Sequence, residues 1–96
     1  MRANLEKVKQ LAKDLRTEEP RPPEQELAGY PFAARCLDKC RASLVGRQGE
    51  FIYGCPMDRQ FLDEAGIDAQ ELKEFVATGA SDQEVADWIH QHARAV

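Results

Sequence analysis

The chain has 96 residues, 43% of them hydrophobic and 31% charged, with a net charge of −4. A chain of this length removes roughly 65% of its unfolded surface from water, which predicts one modest core, a single domain over residues 1–96, and excludes two independent domains. Its composition excludes both the low-hydrophobicity signature of disorder and the long apolar run of a membrane span.

Leu5, Val8, Leu11, Ala12 and Leu15 recur at the spacing of one helical face, so residues 2–16 read as an amphipathic N-terminal helix. Residues 17–30 form a proline-rich crossing in which Pro20, Pro22 and Pro23, with Pro31 just beyond, enforce extended backbone and offer a hinge if the first helix is a detachable arm. The helical core, 31–96, starts with Pro31 in a first turn; Ala33, Cys36, Leu37, Cys40 and Leu44 line one face of a helix over 31–45, stopped by Gly46. Glu50 to Tyr53 has strand-like composition, so residues 50–54 are expected to be a loop, a short extended segment or a minimal hairpin. Asp58 is expected to cap a helix carrying Phe61, Leu62 and Ala65 that stops at Gly66. Asp68 with Glu71, then Ser81 with Glu84, start two more helices by the capping-box pattern. Phe75 and Trp88 read as core anchors, and Val85, Trp88, Ile89 and His92 as a buried stripe, leaving His90 exposed. The prediction is an all-α bundle of about five helices.

Gly29-Tyr30, Arg35-x-x-Asp38-Lys39-x-Arg41-Ala42, Gly46, Gly49-Glu50-Phe51-x-Tyr53, Pro56-x-Asp58 and Asp82 through Trp88 resemble a family of small bacterial proteins catalogued only as a domain of unknown function. The resemblance spans nearly the whole chain after the first helix and departs from the family pattern at Cys36 and Cys40. It implies a compact helical domain and supplies no mechanism.

The first signal is absent on purpose-built spacing: nothing in the chain matches a metal-ligand set, a phosphate loop or a nucleophile-base motif closely enough to name a reaction. Charge is uneven, with five basic and three acidic residues in 31–60 against two and eight in 61–96. An acidic last third opposes phosphate, so no nucleic-acid partner is expected. With no secretory segment either, the expected location is the cytoplasm, where three cysteines read as free thiols.

Three chemistries remain. Arg35, Lys39 and Arg41 flank the apolar stripe of the helix 31–45 with Asp38 between them, and with Tyr53 and Asp58 they make a candidate pocket for a carboxylate or phosphate. The structural alternative pairs Asp38 with Arg41 and uses Arg35 and Lys39 to hold the acidic last third. Cys55, ahead of a helix start, is a candidate nucleophile or oxidation sensor; its bland reading is a cysteine tucked under Tyr53 and Phe61. Cys36, Cys40 and Cys55 with a histidine are a weak metal set, since two of them fall on the apolar stripe, where free cysteine behaves as a small hydrophobe. The expected function is a non-catalytic binding module for a small anionic ligand or an acidic protein segment, monomeric or homodimeric, without cofactor or membrane partner. A thiol-dependent enzyme or redox sensor acting through Cys55 is the alternative, and docking or swapping of the first helix is a third possibility.

Overall fold

A computed structural model, which describes residues 2–93, contains five α-helices: α1 (Leu5–Leu11), α2 (Ala33–Leu44), α3 (Pro56–Ala65), α4 (Ala69–Val76) and α5 (Asp82–His92). No named strand forms among the described residues, as the all-α prediction requires. Residues 50–54 are loop. The one antiparallel bridge is instead Leu27 to Tyr30, where Ala28 (φ 58°) and Gly29 (φ 85°) make the doubly left-handed turn that a two-residue hairpin needs.

Caps set most helix starts. Ser81 and Glu84 accept from each other's backbone amides at α5, and Asp68 accepts from the Glu71 amide at α4 (3.0 Å). At α3 the cap is Cys55 rather than Asp58, because Pro56 occupies the first helical position, where its missing N–H costs nothing. Asp58 sits further in and its carboxylate accepts from the Gly54 amide at 2.8 Å. Helix α2 starts after Pro31, not on it: Phe32 takes a left-handed φ of 71° and donates its amide to Pro23 O (2.7 Å).

Helix α1 is shorter than the predicted 2–16. The chain turns extended at Ala12, and the Asp14 carboxylate collects the Arg16 amide (3.1 Å) and guanidinium (2.9 Å), a local pairing that competes with continued helix. Of the expected stripe, Val8 and Leu15 are buried while Leu5 and Leu11 remain exposed. The helix is nevertheless docked: Asn4 donates its amide to Ala77 O (2.7 Å), and the Lys7 side chain lies over Gly79.

Helix α2 packs against α1, α3 and α4. Around its Cys36, Leu37 and Cys40 gather Phe61 and Leu62 of α3, Leu72 and Val76 of α4, and Val85 and Ile89 of α5. Burying each of the larger side chains contributes about 1.5–3 kcal/mol. Trp88 stacks on Phe75 with ring centroids 5.5 Å apart, and His92 stacks on Trp88 at 4.0 Å. His92 is exposed, correcting its place on a buried stripe: it covers the Trp88 ring from the solvent side of that stack. Its Nδ1 lies 2.8 Å from Trp88 O.

The proline crossing is tied down by charge. Arg21 donates its backbone amide (2.8 Å) and Nε (3.0 Å) to Asp38 Oδ2, and its Nη1 reaches Asp82 Oδ2 at 2.7 Å. Arg41 Nη1 takes the other Asp82 oxygen at 2.8 Å, and its Nη2 donates to Ala80 O at 2.9 Å. The expected Asp38–Arg41 pair is therefore replaced: Arg21 holds Asp38, and Arg21 with Arg41 holds the acidic last third. Asp38 and Arg41 are each 4% exposed, so neither lies on an outer face.

Burial raises the Asp82 pKa, but the Arg21 and Arg41 guanidinium groups outweigh it and hold the carboxyl below the usual range. Its contribution is therefore complete above about pH 4, the unfolded value, and is lost as pH falls through the lowered folded value. Asp82 is half exposed, which screens the interaction, so Asp82→Ala is expected to cost about 1–3 kcal/mol in urea denaturation at pH 7. The difference from the parent should shrink at pH 3. Gly79 has φ of 87°, and an added Cβ would lie 2.7 Å from the Lys7 Cβ. Gly79→Ala is expected to cost at least about 1–2 kcal/mol from the left-handed backbone alone, and to expose the α1 amides to hydrogen exchange.

Candidate functional site

Lys39 projects from the middle of α2 toward the start of α3, where its Nζ donates to Cys55 Sγ at 2.9 Å and pairs with Asp58 Oδ2 at 3.0 Å. The lysine side chain is 4% exposed and the Asp58 side chain 0%. An ammonium in such a place demands anionic company, since an unpaired buried charge costs several kcal/mol. Burial lowers the Lys39 pKa, but the Cys55 sulfur and the Asp58 carboxylate more than reverse that and raise it. The lysine thus stays a cation.

Cys55 is half-buried, between exposed Pro56 and Met57 on one side and Lys39 on the other. It does not lie merely packed under aromatic rings, as its bland reading had it, because Lys39 reaches its sulfur. Burial pushes the thiol pKa up, and so does the Asp58 charge; the Lys39 ammonium and the backbone amides of Asp58 and Met57 overcome both and bring it down. A cation within hydrogen-bond reach and the first turn of a helix both favour thiolate. Asp58 Oδ1 is buried and has no hydrogen-bond partner among the described residues.

The six residues expected to form one anion pocket separate into four environments. Lys39 and Asp58 belong to the thiol cluster. Asp38 and Arg41 are fastened to Arg21 and Asp82. The Arg35 guanidinium lies 5.7 Å from the centroid of the Phe51 ring and donates to Arg21 O at 3.4 Å. Tyr53 donates its hydroxyl to Ala69 O at 2.6 Å, and burial, with the nearby Cys40 and Cys36, raises its pKa. Two of the three candidate cations are therefore already neutralised within the fold. Arg21 was missed as a partner, its one sequence signal being a charged residue locked between Pro20 and Pro22.

Cys36 and Cys40 are fully buried on α2. Burial, above all, raises the Cys36 thiol well above its ordinary value and pushes Cys40 up to about 12. All three cysteines are free, and among the described residues no group of three or more His, Cys, Asp or Glu side chains could hold a metal ion. His90 Nε2 lies 3.0 Å from Ala28 O, so neither histidine is drawn to the thiol cluster.

A cavity of about 370 Å³ opens between α3, α4 and α5, with Asp63, Asp68 and Glu71 on its rim and Leu62, Ile67 and Trp88 at its base. Its rim charge is opposite to what an anion site requires. A second cavity of about 230 Å³, with Lys73 in its lining, includes Tyr53 but none of the other candidate residues. No helix among the described residues is long and apolar enough to cross a membrane.

No curated protein matches the chain. Residues 17–96, from the proline crossing through the whole of α5 but without α1, match one family throughout, and the chain belongs to the family described as Domain of unknown function (DUF5069).

Proposed function

We propose that this domain acts through Cys55 as a reactive thiol, either attacking an electrophile or responding to an oxidant. The observation that carries the reading is the 2.9 Å contact between Lys39 Nζ and Cys55 Sγ at the first turn of α3. A thiolate is the nucleophilic form of cysteine, and here a buried ammonium and two backbone amides stabilise it without any need for a histidine base. Asp58 fixes the ammonium, so the cation is positioned before any substrate arrives. Partial exposure of Cys55 lets a small reagent reach the sulfur, which Cys36 and Cys40 do not allow.

A second reading keeps anion binding but moves it to Arg35, whose Nε is buried without a hydrogen-bond partner while its guanidinium faces the Phe51 ring. A carboxylate or phosphate meeting that group is supported by the fork geometry of arginine. Arg35→Ala should then abolish binding of the anion and leave the reactivity of Cys55 unchanged.

Alkylation by iodoacetamide, followed across pH by mass spectrometry, tests the first reading. Cys55 is expected to react at neutral pH faster than N-acetylcysteine, while Cys36 and Cys40 stay unmodified until the protein unfolds. Lys39→Met should move the midpoint of the Cys55 profile to higher pH and slow the reaction at pH 7 about tenfold. Because that variant leaves Asp58 buried and unpaired, Lys39→Met with Asp58→Asn provides a neutral pair that tests the same effect. Parent Cys55 reacting no faster than the free thiol would sink the proposal.

A further inference from the structure

Oxidation of a thiolate by a peroxide stops at sulfenic acid only if no nucleophile is at hand; a thiol closes it as a disulfide and a nitrogen as a sulfenamide. Cys36 and Cys40 are the other thiols, and both are fully buried and held in the protonated form, Cys40 with its pKa pushed up to about 12. The nitrogen of Lys39 is already in contact with the sulfur, at 2.9 Å, on a side chain that Asp58 fixes from its other side at 3.0 Å. Cys55 itself is open enough, beside exposed Pro56 and Met57, to admit a molecule the size of hydrogen peroxide.

We propose that Cys55 and Lys39 form a covalent Sγ–Nζ cross-link when Cys55 is oxidised by a hydroperoxide, joining α2 to the first turn of α3. The inference rests on the reading of Cys55 as a reactive thiol. The thiolate attacks one peroxide oxygen, the O–O bond breaks, and the departing hydroxide takes a proton from the Lys39 ammonium to leave water, a sulfenic acid and a neutral amine. The amine attacks the sulfur; the S–N bond forms, the S–O bond breaks, and the oxygen leaves with an amine proton as a second water. Thiolate, ammonium and hydrogen peroxide thus become one sulfenamide and two waters with no net change in charge, sulfur losing the two electrons that peroxide gains. External thiols reverse the link.

The link removes a cation that Asp58 was paired with inside the protein, so the oxidised form exchanges an ion pair for a covalent strap. Its site is a contact of residues 16 positions apart, which peptide mapping resolves directly.

Reduced full-length protein is treated with one equivalent of hydrogen peroxide, denatured, blocked with iodoacetamide, digested after glutamate and mapped by mass spectrometry. The expected product has lost two hydrogens, yields a peptide pair joining Lys39 to Cys55, and returns to the starting mass with dithiothreitol; mapping separates it from oxidation at Met57. Lys39→Arg keeps the cation but removes the amine, and should accumulate a Cys55 sulfenic acid that dimedone traps. If the parent protein instead accumulates dimedone-reactive Cys55, or a disulfide from Cys55 to Cys36 or Cys40, the cross-link is overturned while the reactive thiol stands. If Cys55 remains unoxidised in both proteins, the cross-link and the thiol reading fall together. The map of the parent protein decides the matter even where Lys39→Arg does not fold.

Discussion

Three ionised side chains on the central helix, Asp38, Lys39 and Arg41, are buried to within 4% of full exclusion, and three segments of the fold supply groups that neutralise them. A charge left alone in such surroundings costs several kcal/mol, so each needs a partner of opposite sign held in place by another element. The proline crossing delivers Arg21 to Asp38, the start of α3 delivers Asp58 to Lys39, and the start of α5 delivers Asp82 to Arg41. The hydrophobic contacts of Leu37, Phe61, Leu72 and Ile89 supply the driving force for collapse, yet they are non-directional. The ion pairs supply direction, since each requires its partner element at hydrogen-bond distance from a fixed position on α2.

This arrangement gives the Arg35-x-x-Asp38-Lys39-x-Arg41 pattern a physical meaning different from the one its spacing suggests. On an isolated helix such a pattern looks like a solvated, self-paired face, with Asp38 and Arg41 one turn apart. Helix α2 has no such face over this stretch, because α1, α3, α4 and the crossing enclose it. Periodicity identifies the apolar stripe and says nothing of how many neighbours a helix has. The partners that decide the matter lie 17, 41 and 61 positions away in sequence, beyond the reach of local reasoning. Helix boundaries were more legible, since caps are local: Ser81 with Glu84 and Asp68 with Glu71 stand in the structure where the sequence puts them. The start of α3 was misplaced onto Asp58, although Pro56 carries the signal. Proline belongs at the first helical position, which makes Cys55 the cap and frees Asp58 for the interior. The shortness of α1 was not legible, because the competing Asp14–Arg16 pairing leaves the apolar spacing unaltered.

Enclosure also separates the three cysteines, which composition treats alike. Cys36 and Cys40 point from α2 into apolar surroundings where the thiolate has no counter-charge in contact, and they act as packing. Cys55 meets the same helix from outside, across the Lys39 ammonium at the start of α3. The cations expected to line one anion pocket are divided for the matching reason: Lys39 and Arg41 face carboxylates of the fold, whereas Arg35 faces none, although the Nε of both Arg35 and Arg41 lacks a partner. The charges that look like a ligand site in the sequence are mostly ligands for one another.

Lys39 is where structure and chemistry meet. Its ammonium answers two groups, a carboxylate that is always within the fold and a sulfur whose charge depends on protonation and oxidation. When the sulfur is a thiolate, the cluster holds two anions about one cation. When the sulfur is protonated, it holds a single ion pair. The electrostatic balance at the junction of α2 and α3 therefore changes with the state of Cys55, while Asp58, linked to the Gly54 amide, keeps the loop that carries the sulfur in position. A residue needed to neutralise the core is thereby made sensitive to a partly exposed atom, and that coupling arises from the same buried charge that fixes the placement of α3.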